Sequence, residues 1–517
     1  MRKKNLPTTS AATSPEKVLY LDEPLLEFGE SQFAVDPRDG LALFGPYSSG
    51  KPSHPISPAY MLIGAPEGVA AMQSWSRAMN QAHAAPKTKN TTLLKLHRLW
   101  PPYPGFEAAF GSKWSEQPAA AYSLEREKLL EASRRKDPHE RCYAVVEQFM
   151  DAIEKSRKHD TKIAVAICVV PDEVWKNCRP ESRIVNPSDA GISASEKESR
   201  KRGQLDLFEE FDLEQYQFSP DFRRQLKART MKYDLPVQLI RESTLRLSDE
   251  NPFGERALTR LSDRMWNLGT AFYYKAGGKP WKLHSAREGV CYIGIAFRRA
   301  DKTSNTACCA AQMFLDSGDG IVFLGEYGPW YSPEKKQFHL DQSAATKLLD
   351  GILKTYSELD GKPLTEVFLH CRSSISREEF TGFQEACPSN CKLVGIRVKA
   401  DRLGPRLYRT GYMPVVRGTL LRSGDRSGFL YTSGFKPRIG TYDGSDTPVP
   451  LRIDIQHGDS DIEQVSRDIL GLTKLNYNAC KLGESQPVTV GFSDAVGEIL
   501  IANPTITERR PNFKFYI

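Results

Sequence analysis

At 517 residues, with 40% apolar and 26% charged residues and a net charge of +7, the chain has the make-up of a globular protein of two or three domains. Its longest apolar run, Ile163 to Val170, is far too short to cross a bilayer, so no membrane association is expected. Ten cysteines over this length make no disulfide framework, which fits a reducing cytoplasm.

Residues 1–17 are basic without an apolar stretch, so a disordered tail is expected there and a secretion signal is not. Residues 18–48 alternate apolar runs with turn residues, predicting a lead-in of short strands. Residues 79–96 are polar and predict a surface loop. The aromatic stretch PPYPGFEAAFGSKW, Pro101 to Trp114, is punctuated by Gly and Pro. A helix is predicted over 138–156, then a buried strand in DTKIAVAICVVPDEVW that ends at Pro171. Residues 183–204 are rich in Ser, Lys and Glu and predict a mobile excursion.

The segment FRRQLKARTMK, Phe222 to Lys232, puts Arg223, Arg224, Lys227, Arg229 and Lys232 into a helical pattern without an acid. Arg223 and Lys227, four apart, share one face of that helix. A strand at LPVQLIR (Leu235 to Arg241) and a helix across 256–275 follow, and this alternation implies an α/β layer structure.

From Gly289 the pattern changes. VCYIGIAFRR, CCAAQMFLDSGDGIVFLGE and TEVFLHC predict strands with hairpin-like turns such as SGDG, and a helix lies over Asp341 to Leu359. Strands at CKLVGIRV, GTLLRSG and SGFLYTSG, a helix over Ile462 to Leu472 and an apolar tail complete the chain. The order of three early strands, antiparallel hairpins, then helix and strand is that of a ribonuclease-H-like domain. The first half has the pattern of a doubly wound domain, with a boundary near Gly277-Gly278. The pairs Cys387/Cys391 and Cys308/Cys309 lack the second knuckle of a zinc site. No glycine fingerprint stands at a strand-to-helix turn, so NAD chemistry is not expected in this chain.

The segments DPRDGLALFGPY, PGFEAAFGSKW, QLKAR, PVQLIRESTL, YYKAGGKPWKL, GEYGPWY, DILGLTKLNYNAC and the terminal FKFYI, in this order, resemble the MID-PIWI half of Argonaute proteins, from about Val18 to Ile517. With no N-terminal or PAZ domain expected ahead of them, the likeness is to the short prokaryotic Argonautes, and among these to the type partnered with a TIR-APAZ protein. The resemblance implies an α/β fold: a lead-in segment and Rossmann-like MID domain over 18–285, then a ribonuclease-H-like PIWI domain over 286–517.

It also implies a site. A 5′ phosphate needs several cations or N–H donors converging on it, and in the family the positions matching Arg223, Lys227, Gln238 and Lys275 hold the guide's phosphate. The first is often Tyr, stacked on the first base. A guanidinium plane can also stack, so Arg223 leaves the first-nucleotide preference open. Arg224 and Arg229 are expected on a solvated face. The tail FKFYI is apolar enough to be buried; the resemblance implies that the Ile517 carboxylate, with Gln238, holds Mg2+ at the phosphate, with plain burial as the other reading.

Ribonuclease-H chemistry needs two metal ions held by several carboxylates. By resemblance, two of those positions are Ala296 in YIGIAF and Arg372 in LHCRSS. An alanine supplies no ligand, and an arginine opposes a metal. Glu326 in GEYGPW and Asp494 in GFSDAVGEIL are remnants that cannot hold a metal pair alone, so the chain is expected not to be an enzyme. Lys474 and Asn476 in TKLNYNAC are expected on the nucleic-acid backbone. The function implied is a cytoplasmic sensor that pairs a short guide RNA with single-stranded target DNA. Without cutting, it switches on a TIR-APAZ partner, an NAD hydrolase, as a heterodimer that assembles further on activation, in defence against plasmids or phage. Three alternatives stay open: a sirtuin-like or nuclease partner, an active metal-dependent nuclease, and an RNA-binding scaffold without guided readout.

Overall fold

The computed structural model describes residues 17–86, 100–156, 161–188, 216, 218–252, 254–299, 307–315, 320–358, 362–444, 446–502 and 510–517. Of 156, 307–312, 315, 493, 494 and 500 only the main chain is described. The expected tail, most of the 183–204 excursion and much of the 79–96 loop lie outside these residues, as does most of the SGDG turn.

In chain order the main elements are β1 (Lys17–Tyr20), β2 (Tyr60–Gly64), α1 (Pro66–Met79), β3 (Ala120–Ser123), α2 (Pro138–Ser156), β4 (Val165–Val170), α3 (Phe222–Thr230), β5 (Val237–Arg241) and α4 (Leu261–Lys275). Then come β6 (Val290–Arg299), β7 (Ala307–Leu315), β8 (Gly320–Gly328), α5 (Gln342–Glu358), β9 (Glu366–Cys371), α6 (Arg377–Ala386), β10 (Lys392–Ala400), β11 (Thr419–Arg422), β12 (Ser427–Leu430), β13 (Leu451–His457), α7 (Ile462–Leu472) and α8 (Ser493–Leu500).

Four strands make a parallel sheet in the order β3-β2-β4-β5. YMLIG and VAICVV do not alternate because both faces are covered. Leu62 and Ile167 pack with Met72 and Trp75 of α1, while Met61, Ile63 and Cys168 pack with Val146 and Phe149 of α2.

The second sheet has nine strands in the order β1-β11-β12-β13-β10-β9-β6-β7-β8. Only β6, β9 and β10 run parallel; the flanking pairs are antiparallel. One face packs Ile293, Ile295 and Leu369 under α5 and α6. Tyr292, Phe368 and Ile396 belong to the core that includes Val465 and Ile469 of α7.

Several elements depart from the sequence expectation for identifiable reasons. β13 was not foreseen; its alternation, Leu451, Ile453 and Ile455 inward, is that of a half-buried strand. The lead-in includes a helix, Pro37–Phe44, because Asp36 caps it by accepting from the Arg38 N–H at 2.9 Å, with Pro37 at the first turn. β1 of the lead-in crosses to the large sheet and pairs with β11. α4 starts at Leu261 and not near 256, since the backbone is still extended at Arg260 (φ −60°, ψ 152°) and the Asp249 carboxylate takes the Leu261 N–H at 2.5 Å. Among the described residues no helix is long and apolar enough to cross a membrane.

Candidate nucleic-acid interface

The Asp221 carboxylate caps α3, accepting from the Arg224 N–H at 3.0 Å, and so fixes the helix that carries Arg223 and Lys227. Lys227 is buried, and its Nζ donates to the main-chain oxygens of Tyr516 (3.3 Å) and Ile517. Those oxygens are in reach because the apolar tail is inside: Phe515, Tyr516 and Ile517 are all buried. α4 delivers Lys275 at its last residue, also buried, where Nζ donates to Gln238 Oε1 of β5 at 2.5 Å. The following turn has Gly277 at φ +105°, and a Cβ on Gly278 would lie 2.4 Å from the Tyr273 ring, so both glycines are required for the chain to turn this closely under α4.

Four separated segments thus bring Arg223, Lys227, Gln238, Lys275 and the main chain of Ile517 together. Burial and mutual repulsion dominate the electrostatics. Burial pushes Lys227 well below the usual lysine range, and Arg223 and Lys275 add to it. Lys275 is pushed down to about 7 by burial and then by Arg223. Burial also lowers Arg223, against the pull of Asp221. Among the described residues no acidic side chain pairs with any of the three. Buried cations without a counter-charge are costly unless an anion joins them.

Other sequence candidates have structural partners. Arg224 pairs with Glu498 of α8 at 2.6 Å, and Arg229 with Glu147, its guanidinium 4.9 Å from the Phe218 ring. These are partly buried ion pairs and not the solvated face expected of them. Lys474 is enclosed: Nζ donates to Glu23 Oε1 at 3.1 Å and the Val35 carbonyl at 2.7 Å, and burial lowers it to about 8 against the pull of Glu23. That enclosure keeps it from a strand on the surface. Asn476 donates to Glu484 Oε1 at 2.8 Å and accepts from the Asn478 N–H at 2.9 Å.

β6 and β9 pair in parallel with Cys371 opposite Ile295, so Ala296 and Arg372 follow side by side. Ala296 is buried, and Arg372 Nη2 donates to Gln486 Oε1 (3.1 Å) and the Val490 carbonyl (3.0 Å). Behind them His370 Nδ1 lies 2.9 Å from Thr489 Oγ1, and burial pushes this imidazole down to about 3, so it is neutral. Glu326 does not join the group. A register shift opposite Cys308 and Ala310 breaks the alternation of β8, and Glu326 pairs with Lys347 of α5 at 3.1 Å, on the face of the sheet away from Ala296. Asp494 is in α8, but its side chain lies outside the described residues, as do those of Cys308 and Cys309. Among the described residues no three His, Cys, Asp or Glu side chains are grouped to hold a metal ion.

One feature escaped the sequence reading. A cavity of about 960 Å³ opens at the C-terminal ends of β4 and β5, lined by Trp175, Arg179 and Arg256 and by the ion pairs Arg241–Asp172 and Arg246–Glu255 among others. Its Arg179 ion-pairs with Asp221, the cap of α3, at 3.1 Å. Parallel strands ending at Val170 and Arg241 were the available signal, because ligands of such sheets bind beyond the carboxyl ends of the strands.

No protein-family model matches the chain, and no curated protein matches it. Solved structures do. The Argonaute of Clostridium butyricum, bound to a guide DNA with a 5′ deoxycytidine and a 19-mer target DNA, superimposes with a TM-score of 0.61 at 15% identity, over 97% of this chain and 55% of that one. The Argonaute of Aquifex aeolicus with externally bound siRNA gives 0.56 at 14% identity, over 98% and 56%. Another structure of the Aquifex protein gives 0.55 at 13%, over 98% and 56%. The chain therefore has an Argonaute-like fold and spans a little over half the length of these proteins.

Proposed function

We propose that this chain is a guide-binding, non-cleaving Argonaute of the short prokaryotic type, its four-stranded layer serving as the MID domain and its nine-stranded layer as the PIWI domain. The observation that carries the reading is the convergence of half-buried Arg223 with buried Lys227 and Lys275, none of which forms an ion pair with an acidic side chain among the described residues. A guide's 5′ phosphate supplies the missing charge. Its oxygens take over the ammonium protons that Gln238 and Ile517 now accept. The neighbouring cavity has the volume for the first base; its Trp175 ring lies under the Arg179 and Arg241 guanidiniums, 5.4 and 5.8 Å away. Sequence is then read by base pairing, RNA guide against single-stranded DNA, while the protein holds backbone charge and shape.

Gln238 Oε1 and the Ile517 oxygen each accept from a lysine ammonium, and once a phosphate takes those protons these two oxygens with the phosphate would be the groups to hold Mg2+. In this reading the lysines hold the phosphate. Ala296 and Arg372 offer no metal ligands, which supports an output supplied by another chain. That chain is an APAZ-domain effector, with a TIR NAD hydrolase as the expected kind, activated by target recognition in defence against plasmids or phage. The guide reading is tested by titrating 5′-phosphorylated and 5′-hydroxyl guides against wild type, Lys227→Ala and Lys275→Ala. Each substitution is expected to weaken the phosphorylated guide by ten-fold or more and the hydroxyl guide little. Equal losses for the two guides would overturn the reading.

A further inference from the structure

α6 ends in a short turn that carries two thiols. Cys387 closes the helix with extended backbone (φ −76°, ψ 133°), its N–H donating to the Phe383 carbonyl at 3.1 Å. Pro388, Ser389 and Asn390 follow on the surface, and the Cys391 N–H returns to the Pro388 carbonyl at 2.9 Å. The next residue, Lys392, opens β10, and its N–H donates to the Thr365 carbonyl at 2.8 Å. Helix and strand thus fix both ends of the turn, and the turn brings the two side chains together. The Cys387 thiol donates to the Cys391 carbonyl at 3.8 Å, and the two sulfurs lie within hydrogen-bonding reach of each other.

The pair stands apart from the other thiols. Of the eight cysteines with described side chains, Cys142, Cys168, Cys178, Cys291, Cys371 and Cys480 are buried, while Cys387 and Cys391 are half-buried at the surface. Cys291 of β6 lies beneath the pair, sealed in the core under α5 and α6. Two thiols are half of a zinc set, and among the described residues no three ligand side chains are grouped to complete one. Two adjacent, accessible thiols are suited to exchange with a disulfide. Burial and the contact with Cys391 push the Cys387 thiol up to about 12. Burial also raises Cys391, but its contact with Cys387 works the other way. Cys391 is therefore the sulfur that ionises first. Exchange here gains from proximity and not from acidity, because no segment has to be ordered to bring the second sulfur in.

We propose that Cys387 and Cys391 form a reversible thiol–disulfide site, closed by a low-molecular-weight disulfide of the glutathione type, with Cys391 attacking and Cys387 resolving. Cys391 gives its proton to solvent and attacks one sulfur of the incoming disulfide, whose S–S bond breaks and whose leaving thiolate takes up a proton. Cys387 then loses its proton and attacks the Cys391 sulfur, and the second small thiol departs. The protein loses two electrons and two protons, and the small disulfide gains both. The new bond ties the end of α6 to the start of β10. It lies at the Glu366/Lys392 end of the parallel strands, whereas Ala296 and Arg372 follow the Ile295/Cys371 end, so the site does not depend on the guide-binding reading.

The test is incubation of the reduced full chain with oxidised glutathione at several ratios to reduced glutathione, then alkylation in denaturant and mass spectrometry of the intact chain and its peptides. The wild type is expected to lose two hydrogens, with Cys387 and Cys391 linked, the six buried thiols still alkylated, and both thiols restored by dithiothreitol. Cys387→Ser is expected to stop at a single glutathione adduct on Cys391, and Cys391→Ser to take up glutathione about ten-fold more slowly than that. Each variant is checked by thermal melting, and the wild-type result stands whether or not a variant folds. A wild type that keeps both thiols free, that holds a lasting glutathione adduct, or that links either cysteine to Cys291 would overturn the site. Adduct formation as fast in Cys391→Ser as in Cys387→Ser would overturn the assigned roles.

Discussion

Lys275 shows how burial turns a common residue into a conditional one. An ordinary lysine titrates near 10.5, and this one is held to about 7. Between those values the unfolded chain binds a proton that the folded chain does not, so stability rises as pH is raised from about 7 toward 10.5, and the penalty is fully present below 7. Lys275→Met removes the titrating group. The variant is therefore expected to be more stable than wild type at pH 6.5, by an increment that shrinks toward pH 10, as read by thermal melts across pH. The same lysine must be protonated to hold a phosphate. Preference for 5′-phosphorylated guide is expected to be greatest near pH 6–7, where the phosphate is gaining its second charge near pH 6, and to decline toward pH 9 in binding titrations. A flat profile would mean that Lys275 keeps its proton throughout.

At the scale of elements, the lead-in segment is pinned to the large layer by Glu23. Its carboxylate accepts from Arg417 Nε at 2.8 Å and Lys474 Nζ at 3.1 Å. Burial opposes its charge, but the two cations hold it down to about 2. That contribution is present above about pH 4.5 and is lost as pH falls toward 2. Glu23→Gln leaves two buried cations without their counter-charge and is expected to destabilise the fold by about 3–5 kcal/mol in denaturant melts. The pairing of β6 with β9 works at the same scale. A Cβ on Gly294 would sit 1.9 Å from the Thr489 carbonyl, so the glycine lets the Val488–Gly491 turn lie directly on the sheet, and that turn supplies the Val490 carbonyl that holds Arg372.

For the whole molecule, the cationic pocket sits where the two layers meet. Lys227 and Gln238 come from the four-stranded layer, while the tail that reaches Lys227 is docked on β8, where the Val322 N–H donates to the Pro511 carbonyl at 2.7 Å. A guide's end would therefore be gripped by both layers at once. Arg372→Asp is expected to give no guide-dependent cleavage of a labelled target with Mg2+ or Mn2+, because Ala296 still supplies no ligand; cuts would place the carboxylates elsewhere. The output is expected in a second chain. With a TIR-APAZ effector co-purified, NAD consumption should require both guide and complementary strand, and consumption without the target would sink the sensor reading.

The sequence by itself determined whatever depends on neighbours along the chain. The uninterrupted apolar runs of β4 and β6, the periodicity of α2 and α7, and the four-residue spacing of Arg223 and Lys227 all reflect local periodicity, and each appears in the fold. Tertiary structure alone decided which charges meet. Lys474 looked available until its ammonium was found against Glu23, 451 positions away, and the Lys227 contact with Ile517 spans 290. Glu326 was turned to the α5 face by a register shift that no local pattern announces. Ion pairing, burial and strand register are set by distant partners. A one-dimensional pattern identifies a cation, but only the packed layers decide whether that cation meets an acidic side chain.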